Sequence, residues 1–469
     1  MFERLDAQKP ALKKLVAALR EHYAYASVLA TEERFRMWRV SKNGTSISSD
    51  GDRGHGYVIR VFDGTGCAEY SINVFSEERI PEIVREMQVR IEAERAALPE
   101  GITPMPAALP DDSPAVLKKE AKYEIDPQEA GDEAILALIS RIREKGLSAE
   151  GVLDISCNVI YSAERKIFLS EHRDLDESHM WTNAGVAAIG SRGEEVKECY
   201  KGFSLLGGAE LLKEVEQDIG KVIGNLNDLL RSEPMIPGEY ECVCDPEVTG
   251  MIVHEAFGHG VEMDMFVKDR AQAQQFIGQD VASPLVTMHD GSAVDECATW
   301  AFDDEGTLTG DTVIIDKGVL RTGMCDALSA SRLGVRPTGN GRRESCERKA
   351  YTRMTNTYFE GGDATKEEMI ASIPYGFLLE EPTSGMEDPK NWGIQCMVNI
   401  AREIRDGRLT GRVFSPIVLT GYVPDLLKSV SMMGKDVELG GGGYCGKGYK
   451  EWVKVSDGGA YMKARIRLG

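Results

Sequence analysis

The sequence predicts an α+β fold in two domains: an N-terminal helix-on-sheet domain over residues 1–233 and a C-terminal, mainly antiparallel β domain over residues 234–469 that carries an HExxxH helix. Three observations support this. At 469 residues the chain exceeds what one ordinary core accommodates. Amphipathic stretches with apolar residues three and four apart fall in the first half. After Pro234 and Pro237, short strands, glycines and Gly-containing turns dominate, which puts the boundary near residue 233.

From Pro10 to Ala30 the pattern is helical, and Leu12, Leu15, Val16 and Leu19 form a face that packs on a sheet. The sheet is expected to begin at Tyr57-Val58-Ile59-Arg60-Val61-Phe62, which is rich in β-branched and aromatic residues and is closed by the turn Asp63-Gly64. A second helix starts near Pro81, with proline in its first turn, and runs through Ile83, Val84, Met87 and Ile91. The proline-rich run from Leu98 to Asp112 reads as a loop. A helix over Pro127 to Lys145 follows, then a hairpin of Val152 to Tyr161 and Lys166 to Ser170 around Ala163-Glu164-Arg165. A long amphipathic helix from Ala209 to Leu230 closes the first half. In the second half, Thr312–Ile315 and Val319-Leu320 enclose Asp316-Lys317-Gly318, and Ile404 and Leu409 enclose Arg405-Asp406-Gly407-Arg408, both as hairpins.

The charge excludes some partners. With 76 acidic against 55 basic residues the net charge is −21, a field that repels a phosphate backbone, so direct nucleic-acid binding is not expected. The best candidate for a local basic patch, Arg342-Arg343 with Arg348-Lys349, reads as a solvated loop. No apolar run is long enough to span a bilayer, and the charged start Met1-Phe2-Glu3-Arg4 lacks a secretory signal, so cytoplasmic residence is the expectation. Ten cysteines are too dilute for a disulfide scaffold, and Cys242 and Cys244, alternating on one strand, are read as buried thiols and not as ligands.

The chemistry concentrates at His254-Glu255-Ala256-Phe257-Gly258-His259. Neutral imidazoles hold Zn²⁺ without cancelling its charge, and an adjacent carboxylate can accept a proton from water, so Glu255 reads as the base. The histidines are five apart, whereas the familiar zinc helix spaces them by four. At roughly 100° per residue, five positions on an α-helix open an offset of about 140°, too wide for two short side chains to meet one ion. The helix is therefore expected to end or to make a π-bulge near Gly258, with Gly258 and Gly260 permitting the departure. Spacing alone leaves the third ligand open among His22, His55, His172, His179, His289, the carboxylates and the cysteines. The four glycines 440–443 lack the strand and lysine context of a phosphate loop, and flexibility is the better reading of them.

From Pro234 onward the chain resembles the TldD/PmbA family of metallopeptidases. The resemblance is carried by Pro237-Gly238-Glu239-Tyr240, Gly250, the histidine–glutamate run, Glu262-Met263-Asp264, Asp303-Asp304-Glu305-Gly306, Thr338-Gly339-Asn340, Arg353-Met354-Thr355-Asn356-Thr357 and Cys445-Gly446-Lys447, with a weaker echo at Arg60-Val61-Phe62. It implies a zinc held by His254, His259 and Cys445, with Glu255 as the catalytic carboxylate. It also implies an unstructured peptide as substrate and a dimer, either of identical chains or with a related subunit that lacks the motif. This chain keeps the motif and resembles the active type. It departs from the family at Gly448-Tyr449-Lys450, where relatives carry a glycine–glutamine pair, which leaves the substrate open. The alternatives are a zinc hydrolase of small amides or modified peptides and a non-catalytic dimer partner. Glu262 and Asp264 are equal candidates for orienting a ligand imidazole. Asn340, Arg353 and Asn356 are candidates for contacting the substrate carbonyl.

Overall fold

A computed structural model describes residues 2–49, 54–100, 106–448 and 450–469, with Lys450 described in its backbone only. Tyr449 and part of the proline-rich loop lie outside the described residues.

The first half is built on an eight-stranded sheet. Its main path runs Cys67–Ile72, His55–Phe62, Tyr25–Ser41, Val152–Leu169, Arg173–Arg192 and Ala115–Lys119, with Gly44–Ser49 and Glu195–Leu205 pairing off that path. Every pairing is antiparallel except that of Ala115–Lys119 with Arg173–Arg192. Helices Glu3–Arg20 and Ile80–Ala96 bury Leu12, Leu15, Leu19, Ile83 and Met87 against Val28, Ile59 and Val61. Helices Asp132–Leu147 and Leu211–Leu229 bury Ile139, Ile142, Val215 and Leu226 against Val159 and Val186. The opposite face of the sheet, through Leu29, Val58, Phe168 and Leu175, packs on Phe302 from the second half of the chain.

Three expectations about elements are corrected. The first helix ends at Arg20, and the fully buried run Tyr25–Ala30 opens a 17-residue strand, so the sheet begins there and not at Tyr57. A run buried on both faces carries no alternation, and so it merged into the helical pattern before it. The expected hairpin around Ala163-Glu164-Arg165 is absent. Residues Val152–Leu169 form one continuous strand, and the chain reverses at Ser170-Glu171-His172. Arg165 lacks any turn-forming tendency and instead reaches across to Asp176 at 2.8 and 2.9 Å. The helix expected over Pro127 to Lys145 is split by Gly131, at φ +85°, into Pro127–Ala130 and Asp132–Leu147.

In the second half, Tyr375–Asp388, Gly238–Cys244, Met462–Leu468, Ile417–Tyr422 and Gly393–Arg405 pair in that order, and the first strand also pairs with the last, so the sheet closes on itself. Arg408–Phe414 extends it through the expected hairpin, in register Ile404 to Leu409. The other expected hairpin is present as Asp311–Asp316 with Val319–Leu320. Cys242 and Cys244 are fully buried thiols. Among the described residues no helix is long and apolar enough to cross a membrane.

The Asp303–Gly306 loop fastens the two halves. Asp304 pairs with Lys166 at 2.9 Å, Glu305 with Arg60 at 2.6 Å, and the Gly306 carbonyl accepts from Arg173 at 2.6 Å. Arg343 pairs with Glu69, which also holds Arg60 at 2.6 Å. This corrects part of the reading of the cluster as solvated: Arg342 is buried and donates to the Met354 carbonyl at 2.5 Å, and Arg343 is half-buried, whereas Arg348 and Lys349 are exposed as expected.

Burial opposes the ionisation of Glu69, but Arg60 and Arg343 outweigh it and hold the carboxyl at about 2. A carboxyl depressed on folding adds stability above its unfolded pKa of about 4.3, and that contribution disappears as the pH falls toward the folded value. Glu69→Gln should therefore be less stable than wild type at pH 7. The gap, followed by denaturant unfolding across pH, should shrink between about pH 4.5 and 2. A gap independent of pH would refute the assignment.

Candidate metal centre

The motif segment begins as a helix, Pro246–Met251, with proline at its start and the Asp245 carboxylate accepting from Val248 N–H at 2.8 Å. It then widens into a π-helix over Ile252–Gly258, in which His259 N–H donates to the His254 carbonyl, and tightens into a 3₁₀ turn over His259–Val261. An i→i+5 hydrogen bond brings residues five apart onto one side of the helix, which resolves the spacing problem as expected. The role of the glycines differs from expectation. Gly258 has an ordinary right-handed conformation at φ −57°, and the space its missing Cβ leaves is filled by Met354 Sδ. A Cβ on Gly260 would stand 2.5 Å from Glu387 Oε1. Both glycines serve close packing and not backbone freedom.

The two rings stand perpendicular, with centroids 5.1 Å apart. Cys445, on the hairpin Tyr444–Lys447 with Lys450–Lys454, brings its sulfur to 3.2 Å from His259 Nε2. One ligand atom from each of His254, His259 and Cys445 lies within 4.8 Å of the others. Burial pushes the Cys445 thiol up, but the two imidazoles outweigh it and bring it down to about 5. Burial likewise opposes protonation of both rings, and the thiolate overcomes it, most strongly at His259.

Behind His259, Nδ1 lies 3.3 Å from Glu262 Oε2. Despite burial, which favours its neutral form, Glu262 is held well below the usual carboxylate range by Lys447 at 3.1 Å and Arg353 at 3.1 Å. Arg353 is fully buried, and its Nη2 also donates to the Cys445 carbonyl at 3.0 Å and the Cys445 sulfur at 2.9 Å. Of the two acidic candidates for orienting an imidazole, Glu262 faces one, whereas Asp264 pairs with Lys447 at 2.7 Å and Lys268 at 2.8 Å.

Asn340 donates to Asp290 at 2.6 Å and to the Arg353 carbonyl at 3.0 Å, and Asn356 donates to the Gly291 carbonyl and to Thr299, both at 2.8 Å. Their amide hydrogens are thus engaged in the buried scaffold around Asp290, which also takes Thr355 and Thr357. His179 is engaged with Glu177, and His289 lies between Asp311 and Glu360. Sequence reasoning missed Asp457, whose carboxylate is 3.8 Å from His254 Nδ1. That nitrogen is buried and has no hydrogen-bond partner. Nothing in the sequence around Asp457 marks it, because it comes from a strand near the far end of the chain.

Two imidazoles and a depressed thiol, all inward-facing, form a borderline-soft set of the kind that binds Zn²⁺, so the residues fit the ion. Residues 237–463 match the family described as PmbA/TldA metallopeptidase C-terminal domain. Over this stretch the chain is similar to the TldD/PmbA family. Among similar proteins, a metalloprotease of Methanothermobacter thermautotrophicus is 29% identical over 76% of this chain and 74% of its own length. A zinc metalloprotease TldD homolog of Saccharolobus solfataricus is 30% identical over 54% of this chain, and the match spans 57% of that relative. The solved structure of TldE from Thermococcus kodakarensis covers 98% of this chain and 100% of its own, with a TM-score of 0.73 at 17% identity, and so shows a shared fold.

The purified protein should bind one equivalent of Zn²⁺, and Cys445→Ser should bind it far more weakly. Glu262→Gln, which loosens the ring behind the ligand atom, should cost about 10–100-fold in affinity by chelator competition. Equal affinity in all three proteins would remove Cys445 and Glu262 from the site.

Proposed function

We propose that this chain is a zinc-dependent peptidase that hydrolyses unstructured peptides or flexible polypeptide segments, with Glu255 as general base. The observation that carries this reading is the meeting of His254, His259 and Cys445 beside a glutamate that stays partly exposed while its neighbours His254 and Ala256 are buried. Zinc, when bound by these three residues, supplies Lewis acidity toward water and the scissile carbonyl.

The protein groups divide the remaining work. Glu255 takes a proton from the attacking water and returns it to the departing amine. Glu262 accepts from His259 Nδ1, which fixes the tautomer and leaves Nε2 as the ligand atom. Arg353 and the imidazoles hold Cys445 as thiolate. Asp457 lies where it can take the same part for His254.

Glu255→Gln should lower turnover of an unfolded peptide pool by about 10²–10⁴-fold, while zinc content measured by elemental analysis stays at the wild-type level. Full turnover in the variant would discard Glu255 as base. Turnover of small amides with none of peptides would redirect the substrate class. No hydrolysis by either protein would favour a binding role.

A further inference from the structure

We infer that Gly385 is a positioning residue for Glu255; this rests on the reading of Glu255 as base. Gly385 lies in Tyr375–Asp388, opposite Cys396 of the neighbouring strand. A Cβ built on Gly385 would stand 2.8 Å from Glu255 Cβ and 3.0 Å from its Cδ, and closer still to Cγ. The glutamate side chain therefore lies along bare backbone.

A glutamate is rich in rotamers, and ordering it costs conformational entropy. The flat strand removes the rotamers that would swing the carboxylate away. On the same face, two residues on, Glu387 packs against Gly260 in the turn after His259. One strand thus supports both ends of the motif. Its path is bent to do so: the pairing register shifts between Pro382 and Ser384, and Glu381 takes a left-handed φ of +61° and accepts from Asn225 of helix Leu211–Leu229 at 2.7 Å.

The strand is paired along this stretch, so a methyl group at residue 385 pushes Glu255 Cβ and Cγ, and the carboxylate with them, and not the sheet. A shift of about 1 Å at a reacting group costs on the order of 100-fold in rate. Gly385→Ala should therefore lose about 100-fold in kcat, with KM and zinc content near wild type. Gly421→Ala on strand Ile417–Tyr422 of the same sheet, where a Cβ meets nothing within 4 Å, should retain full activity.

A stability cycle reads the contact without catalysis. Gly385→Ala should lower the melting temperature in the wild-type background and do so much less in Glu255→Gly, which removes the opposing Cβ, Cγ and Cδ. Wild-type turnover in Gly385→Ala beside an inactive Glu255→Gln, or strict additivity in the cycle, overturns the positioning role and leaves the peptidase reading intact. If the wild type hydrolyses nothing, the peptidase reading falls, and coupling in the cycle still decides the contact.

Discussion

Two imidazoles five residues apart can face one point only if the helix between them is wound more loosely than an α-helix, and the site depends on that constraint. A π-helix is normally disfavoured and survives where its surroundings fix it. Here those surroundings are specific. Met354 fills the space beside Gly258, Glu387 lies under Gly260, and the strand at Gly385 lies under Glu255. The unusual winding is thus held at three points by two chain segments more than ninety residues away in sequence.

A second layer sets the charges. Arg353, fully buried, and Lys447, half-buried, are cations beside the site, and Glu262 and Asp264 answer them. Removing one partner from a buried pair typically costs about 3–5 kcal/mol because it strands the other charge. Glu262 is therefore at once the carboxylate facing the His259 ring and a counter-charge, so loss of its carboxylate affects both that ring and the packing of Arg353. The same guanidinium contacts Cys445 and the carbonyl of Glu451, so Arg353, together with Lys447, ties the cysteine-bearing hairpin to the imidazole-bearing turn.

The fold class, the two C-terminal hairpins, the helix faces and the need for a bulge after His254 were legible from periodicity, turn residues and helical geometry. Cys445 was not: it lies 186 residues from His259, no local spacing connects them, and only the family resemblance named it. The strand Tyr25–Ser41 and the continuous strand through Ala163 were misread, because segments buried on both faces lose the alternation that marks a strand. Asp457, Glu387 and Gly385 come from strands whose meaning lies in what they pack against. Arg342, buried, and Arg343, half-buried, resemble a surface patch until the partners Met354 and Glu69 are placed.

The Asp303–Gly306 loop has a consequence for how the molecule can be divided. Its carboxylates and carbonyl are matched to Arg60, Lys166 and Arg173 of the first half, and Phe302 beside it is sunk into that sheet. The half of the chain that bears the histidines is therefore not a portable module. Severed near residue 233, it would present a bare aromatic side chain and unmatched acids to water, and recombining the two pieces in one solution would be the natural route back to a working whole.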